Sequence, residues 1–139
     1  MVESITLETA TELIEAAEQK AEEIEVPSVI AVANAEGNLI AQHRMDGAWL
    51  ASVNISRCKA YTAAALEMPT HELADMTTPG DSLYGLQTTD QGRIVIFGGG
   101  FPLRQDGRIV ATIGSSGGEV EEDMEVAQAG VDRFEEINA

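Results

Sequence analysis

The chain has 139 residues, enough for one domain with one core and little beyond it. Its formal charge is −16 with 24 acidic against 8 basic residues, and only 4% of it is aromatic. Such a charge repels nucleic acid and anionic membranes, so neither is an expected partner. Lys20 and Lys59 are its two lysines. Scarce lysine beside abundant acid suits a halophilic surface in concentrated salt, where the Debye length falls to about 3 Å and carboxylate repulsion is screened. Cys58 is the single cysteine, which excludes an intrachain disulfide. No basic, apolar-cored leader and no membrane-length apolar run is present, so the expected location is cytoplasmic.

The first element is an amphipathic helix over about 6–25. Thr6 is its N-cap, Glu8 sits in its first turn, and Leu7, Ala10, Leu13, Ile14, Ala17, Ala21 and Ile24 recur at helical spacing. Val26-Pro27 stops it. Strands over 28–33 and 38–44, joined by Ala35-Glu36-Gly37-Asn38, read as a hairpin. A second helix over 49–66 is apolar around most of its circumference, so burial on the sheet and against a partner subunit is expected. A short helix follows from a Thr70 cap to about Met76, then an irregular segment over 79–89. Strands are expected over 93–97 and 108–114, and an acidic helix over 119–137 with Val120, Met124, Ala127, Val131 and Phe134 as its buried stripe. Hairpins without repeated βαβ units imply an antiparallel sheet covered by helices, an α/β (α+β) fold.

Two glycine-rich bends follow strands: Gly98-Gly99-Gly100-Phe101-Pro102 and Gly114-Ser115-Ser116-Gly117-Gly118. They could present backbone N–H groups to a carboxylate or phosphate, or serve as plain strand exits. No lysine follows at phosphate-loop spacing, and the serines do not form a nucleophile elbow. Lys59, inside the most buried helix, could hold an anionic group or act as a base with a lowered pKa. It could equally be a helix cation paired with a carboxylate such as Glu67. By residue type, His43, Met45, Cys58, His71 and Tyr84 are the candidate haem or metal ligands, without a local ligand motif. Cys58 also reads as a small core residue.

Several segments, taken in order, resemble one family. They are Ala31 to Leu39, Arg44-Met45-Asp46-Gly47-Ala48, Lys59 to Ala64, Pro79-Gly80, Leu83 to Leu86, Phe97 to Leu103, Ile113 to Gly118 and Glu122-Asp123. Together they are similar to the GlcG/HbpS-like proteins, which include the C-terminal domain of PduO-type proteins. The resemblance spans nearly the whole chain. It implies a profilin-like α/β/α sandwich with a five-stranded antiparallel sheet, assembly as dimers, tetramers or octamers, and haem binding in some members.

On this reading a small ligand, haem or a related tetrapyrrole, would sit where Arg44, Met45, Asp46, Lys59, Phe97, Gly98, Gly99, Gly100, Ser115, Ser116, Gly117 and Gly118 converge near a subunit interface. Lys59 or Arg44 would meet a propionate, and His43, His71 or Met45 would ligate iron. The alternative is an accessory enzyme or binder for a small hydroxy- or oxo-acid, with Lys59 as base or clamp.

Overall fold

The computed structural model describes residues 5–139. Helix α1 (Leu7–Glu23) starts where Thr6 accepts the Thr9 N–H at 3.1 Å, and it buries Ala10, Leu13, Ile14, Ala17 and Ala21. Strands β1 (Val29–Asn34) and β2 (Leu39–Arg44) form the expected antiparallel hairpin. Its turn is closed by Asn34 Oδ1, which accepts the N–H groups of Glu36 and Asn38, both at 3.0 Å. Helix α2 (Ala51–Ala65) and the one-turn helix α3 (His71–Ala74) follow. After two 3₁₀ turns come strands β3 (Gly100–Gln105) and β4 (Arg108–Ser116), then helix α4 (Val120–Ile137).

The sheet is antiparallel in the order β2-β1-β4-β3. Helices α1 and α4 pack side by side on one face and α2 on the other, which gives an α/β/α sandwich. The two layers differ in how close their helices come. Toward α1 and α4 the sheet presents Ile30, Val32, Leu103 and Ile113, which join Leu13, Ile14, Val126 and Phe134 in the main core. Toward α2 it presents Ala31 and Ala33 against Ala60. Small residues here let α2 lie almost on the strands. Gly100 and Gly114 are register partners, and a Cβ on Gly114 would stand 2.2 Å from the Ser56 carbonyl oxygen. On Gly100 it would stand 2.6 Å from the Lys59 carbonyl oxygen. Thr112 Oγ1 donates to the Ala60 carbonyl at 2.7 Å, fastening the helix to β4.

The described residues form four strands, not five. Residues 93–97 look β-prone, yet they lie outside the sheet, with Arg93 in a turn and Phe97 in a bend. Two of their backbone groups are held by α2: Thr62 Oγ1 donates to the Arg93 carbonyl and accepts the Val95 N–H. The strand lies further on, at Gly100–Gln105, where glycine and proline suggest a loop. Pro102 is tolerated because β3 is an edge strand. Thr70 does not cap α3 through its side chain. Its Oγ1 accepts the Gly100 N–H at 2.9 Å, while its own N–H donates to the Gly100 carbonyl, so it ties α3 to β3. The α4 stripe is also turned from the expected one: Asp123, Val126, Ala127, Gly130 and Phe134 are buried, while Val120, Met124 and Val131 are half-buried.

Candidate functional site

The expected site residues gather along one end of the sheet, where β2 and β4 finish and β1 and β3 begin. The register sets Arg44 opposite Val29, and Val29 opposite Ser116. Ser116 Oγ donates to Ser52 Oγ in α2 at 3.0 Å. Beyond it, Gly117 and Gly118 lead into α4, which begins with the Glu119 N–H donating to Glu122 Oε1 at 2.8 Å.

Lys59 lies at the centre of this end and has no solvent exposure. The close approach of α2 carries its Nζ to the Ser115 carbonyl at 2.8 Å and to Asp123 Oδ2 at 3.0 Å. The other carboxylate oxygen of Asp123 accepts the Gly118 N–H at 3.0 Å. Phe97 covers the ammonium from one side, its ring centre 5.1 Å from Nζ. A Cβ on Gly99 would lie 2.6 Å from the same nitrogen. Burial pushes the Lys59 amine below its ordinary range, with Asp123 opposing that shift. Burial likewise pushes Asp123 above the usual carboxylate range, against the pull of Lys59 and the Gly118 N–H. The partner of Lys59 is therefore Asp123 rather than Glu67, and the amine has no face open to a ligand. Sequence reading meets Asp123 only within the Glu122-Asp123 resemblance and gives it no partner, because it looks like one more acid on an acidic helix. Its one local signal is its place in the first turn after a double glycine.

Of the iron-ligand candidates, Met45 is half-buried, and its Sδ accepts the Ser28 N–H at 3.4 Å. Arg44 is exposed, and its Nε and one terminal nitrogen donate to the Ala48 carbonyl at 3.2 and 2.9 Å. Asp46 is exposed, Cys58 is buried in α2 and Tyr84 is exposed. His43 projects from edge strand β2 toward α1, where its Nδ1 lies 2.5 Å from Glu18 Oε1. Glu15 and Glu22 lie one turn away on that side of the helix.

His71 is placed differently. It opens α3 beside the bend at Gly98, and its Nδ1 is buried with no hydrogen-bond partner among the described residues. Its ring meets Phe101 at 5.7 Å between centroids. Gly98 lies between it and α4: a Cβ there would stand 3.1 Å from His71 Cβ and 2.6 Å from Met124 Sδ. Phe97, next in the chain, is 40% exposed. An imidazole with an unpartnered Nδ1, against Phe101 and across Gly98 from the Met124 thioether, fits a flat apolar ring with a metal at its centre. Phe101 and Met124 add to the residues expected from sequence. Among the described residues no group of three or more His, Cys, Asp and Glu side chains could hold a bare metal ion, and no helix is long and apolar enough to cross a membrane.

The fold and this sheet-end cluster define a small three-layer α+β domain with a buried Lys–Asp pair beneath an aromatic, histidine-bearing surface. Comparison with known proteins gives its family. The family described as "Haem degrading protein HbpS-like" matches residues 5–132, and the chain belongs to it. It is 47% identical over 136 residues to an uncharacterized 15.0 kDa protein from the dhaT-dhaS intergenic region of Citrobacter freundii, covering 98% of this chain and 96% of that protein. It is 42% identical over 120 residues to the corrinoid adenosyltransferase PduO of Salmonella typhimurium, covering 86% of this chain but 36% of PduO. The crystal structure of a PduOC:heme complex superposes with a TM-score of 0.90 at 38% identity, covering 94% of each chain.

Proposed function

We propose that this chain is a haem-binding protein, and that it holds the ring on the surface made by His71, Phe97, Phe101 and Met124. The observation that carries the reading is the unpartnered Nδ1 of His71, whose ring lies against Phe101 and beside the Gly98 bend that Met124 also meets. A relative 38% identical to this chain and crystallised with haem supports the choice of ligand.

In this reading His71 would supply a nitrogen ligand to the iron, and Phe97 and Phe101 would supply the apolar contact. Bound haem would bring an iron able to take axial ligands and change redox state. The buried pair of Lys59 and Asp123 sets the frame: it holds the β4 exit, the start of α4 and the Phe97 ring in fixed relation. His43 suits the role less well, because the acids around it would repel two propionates. Arg44, on the far edge strand, is three strand spacings from β3, about 14 Å, so it would meet a propionate only at the rim of the ring. Trp49 and Leu50, 62% and 74% exposed at the start of α2, favour a homo-oligomer whose copies enclose what one copy leaves open. Titration of the purified protein with hemin, followed in the Soret region, tests the reading. A shifted band that saturates at a fixed ratio per chain is expected, and a spectrum equal to free hemin at every ratio would overturn it.

A further inference from the structure

A second cavity lies on the outer side of α2, away from the His71 surface. It holds about 180 Å³ and is lined by Gly37, Asn38, Leu39, Arg57, Cys58, Tyr61 and Arg93. That is the room of about six waters. Two of the eight basic residues of a strongly acidic chain line it, and none of its lining residues is acidic.

The walls are held in place by specific contacts. Gly37, at φ +84° in the hairpin turn, sits against Tyr61, and a Cβ there would come within 2.8 Å of the ring. Tyr61 donates its hydroxyl to Asp90 Oδ2 at 2.6 Å. Arg93 stacks over the Tyr61 ring at 4.4 Å and donates to Asp90 Oδ1 at 2.6 Å. Asp90 and Gln91 both take left-handed φ values, +50° and +59°, which non-glycine residues adopt at a cost. The chain accepts that strain where it brings Arg93 over the Tyr61 ring. Arg57 has no carboxylate within ion-pairing distance among the described residues, and its guanidinium reaches only the neutral Asn54 side chain. An unpaired guanidinium beside one that Asp90 holds in place, with no acid among the lining residues, is arranged for a planar or tetrahedral oxyanion.

We propose that this cavity binds a small oxyanion, a short-chain carboxylate or inorganic phosphate, between Arg57 and Arg93. The site is separate from the haem surface, and Arg57 offers an anion the unpaired cation that enclosed Lys59 does not.

The test is an amide NMR titration of the ¹⁵N-labelled protein with lactate and, separately, with inorganic phosphate at fixed ionic strength. Saturable shifts confined to residues 37–39, 57–61 and 93 are expected with at least one anion; whichever saturates names the class. Arg57→Gln should weaken binding about tenfold or more without changing the melting temperature, and Arg57→Lys should restore part of it. The bound anion should also slow alkylation of Cys58, the sole thiol. Linear, unsaturated shifts with both anions to about 20 mM would overturn the proposal, as would equal affinity in Arg57→Gln.

Discussion

Lys59 Nζ stands 3.0 Å from Asp123 Oδ2, joining residues 64 positions apart through two side chains sealed from solvent. The contact fixes α2, the end of β4 and the first turn of α4 at one point. Removing one partner strands the other charge in the interior, so Lys59→Met or Asp123→Leu alone should cost about 3–5 kcal/mol in urea unfolding. The double replacement should cost less than the sum of the two, because neither charge is then left alone. Strict additivity would mean that the pair does not interact.

The same pair has a signature in pH. Burial holds Asp123 above its ordinary value of 3.8. Between 3.8 and that raised value the folded chain holds a proton that the unfolded chain has lost, so this carboxyl makes stability fall as pH rises through the window. Lys59 acts oppositely near the alkaline end. Its folded value lies below 10.5, the unfolded chain holds the extra proton in between, and stability rises with pH there. A carbon-detected titration of Asp123 should give a midpoint above 3.8, moving higher still in Lys59→Met. A midpoint at or below 3.8 in the parent protein would contradict this.

The approach of α2 to the sheet depends on Gly114. An added methyl group would overlap the Ser56 carbonyl and crowd the Ala60 nitrogen. Gly114→Ala should therefore cost about 3 kcal/mol, seen as a lowered unfolding midpoint. Gly107→Ala is the matched control. Gly107 has a φ of +78° with nothing within 4 Å of an added Cβ, so the loss should be nearer 1 kcal/mol.

Charge sets a further expectation. The groove between α1 and α4 is lined by Glu12, Glu15, Glu23, Glu125, Asp132 and Glu136 against Lys20 and Arg133. Two exposed ion pairs, Lys20 with Glu125 and Arg133 with Glu12, cross it. Salt screens those pairs, each worth about 1 kcal/mol or less, but it also screens the more numerous repulsions. The melting temperature should rise between dilute buffer and molar KCl. A flat or falling curve would remove the halophilic reading.

Helices α1 and α4 and the first hairpin are legible in the sequence because their signals are local: a 3.6-residue apolar period, a Thr cap and an Ala-Glu-Gly-Asn turn. Strand β3 is not, because Gly100 and Pro102 are read as breakers. Only the neighbouring helix shows that Gly100 is small to admit the Lys59 backbone. Ile94-Val95-Ile96 misleads in the other direction, since its hydrogen bonds go to a threonine some thirty residues earlier. The glycine bends and Lys59 can be picked out by composition. Their partner Asp123 cannot, nor can the difference between His43, held by Glu18, and His71, whose Nδ1 has no partner among the described residues. Both depend on which segments the fold brings together.

The central claim is that His71 carries the iron of a bound haem. The absorption spectrum of the hemin complex in His71→Ala, beside the parent protein and His43→Ala, tests it most directly. The account predicts a saturating, ligated Soret band in the parent and in His43→Ala, and its loss or conversion to that of unligated hemin in His71→Ala. An unchanged ligated spectrum in His71→Ala, with the loss appearing in His43→Ala instead, would contradict it.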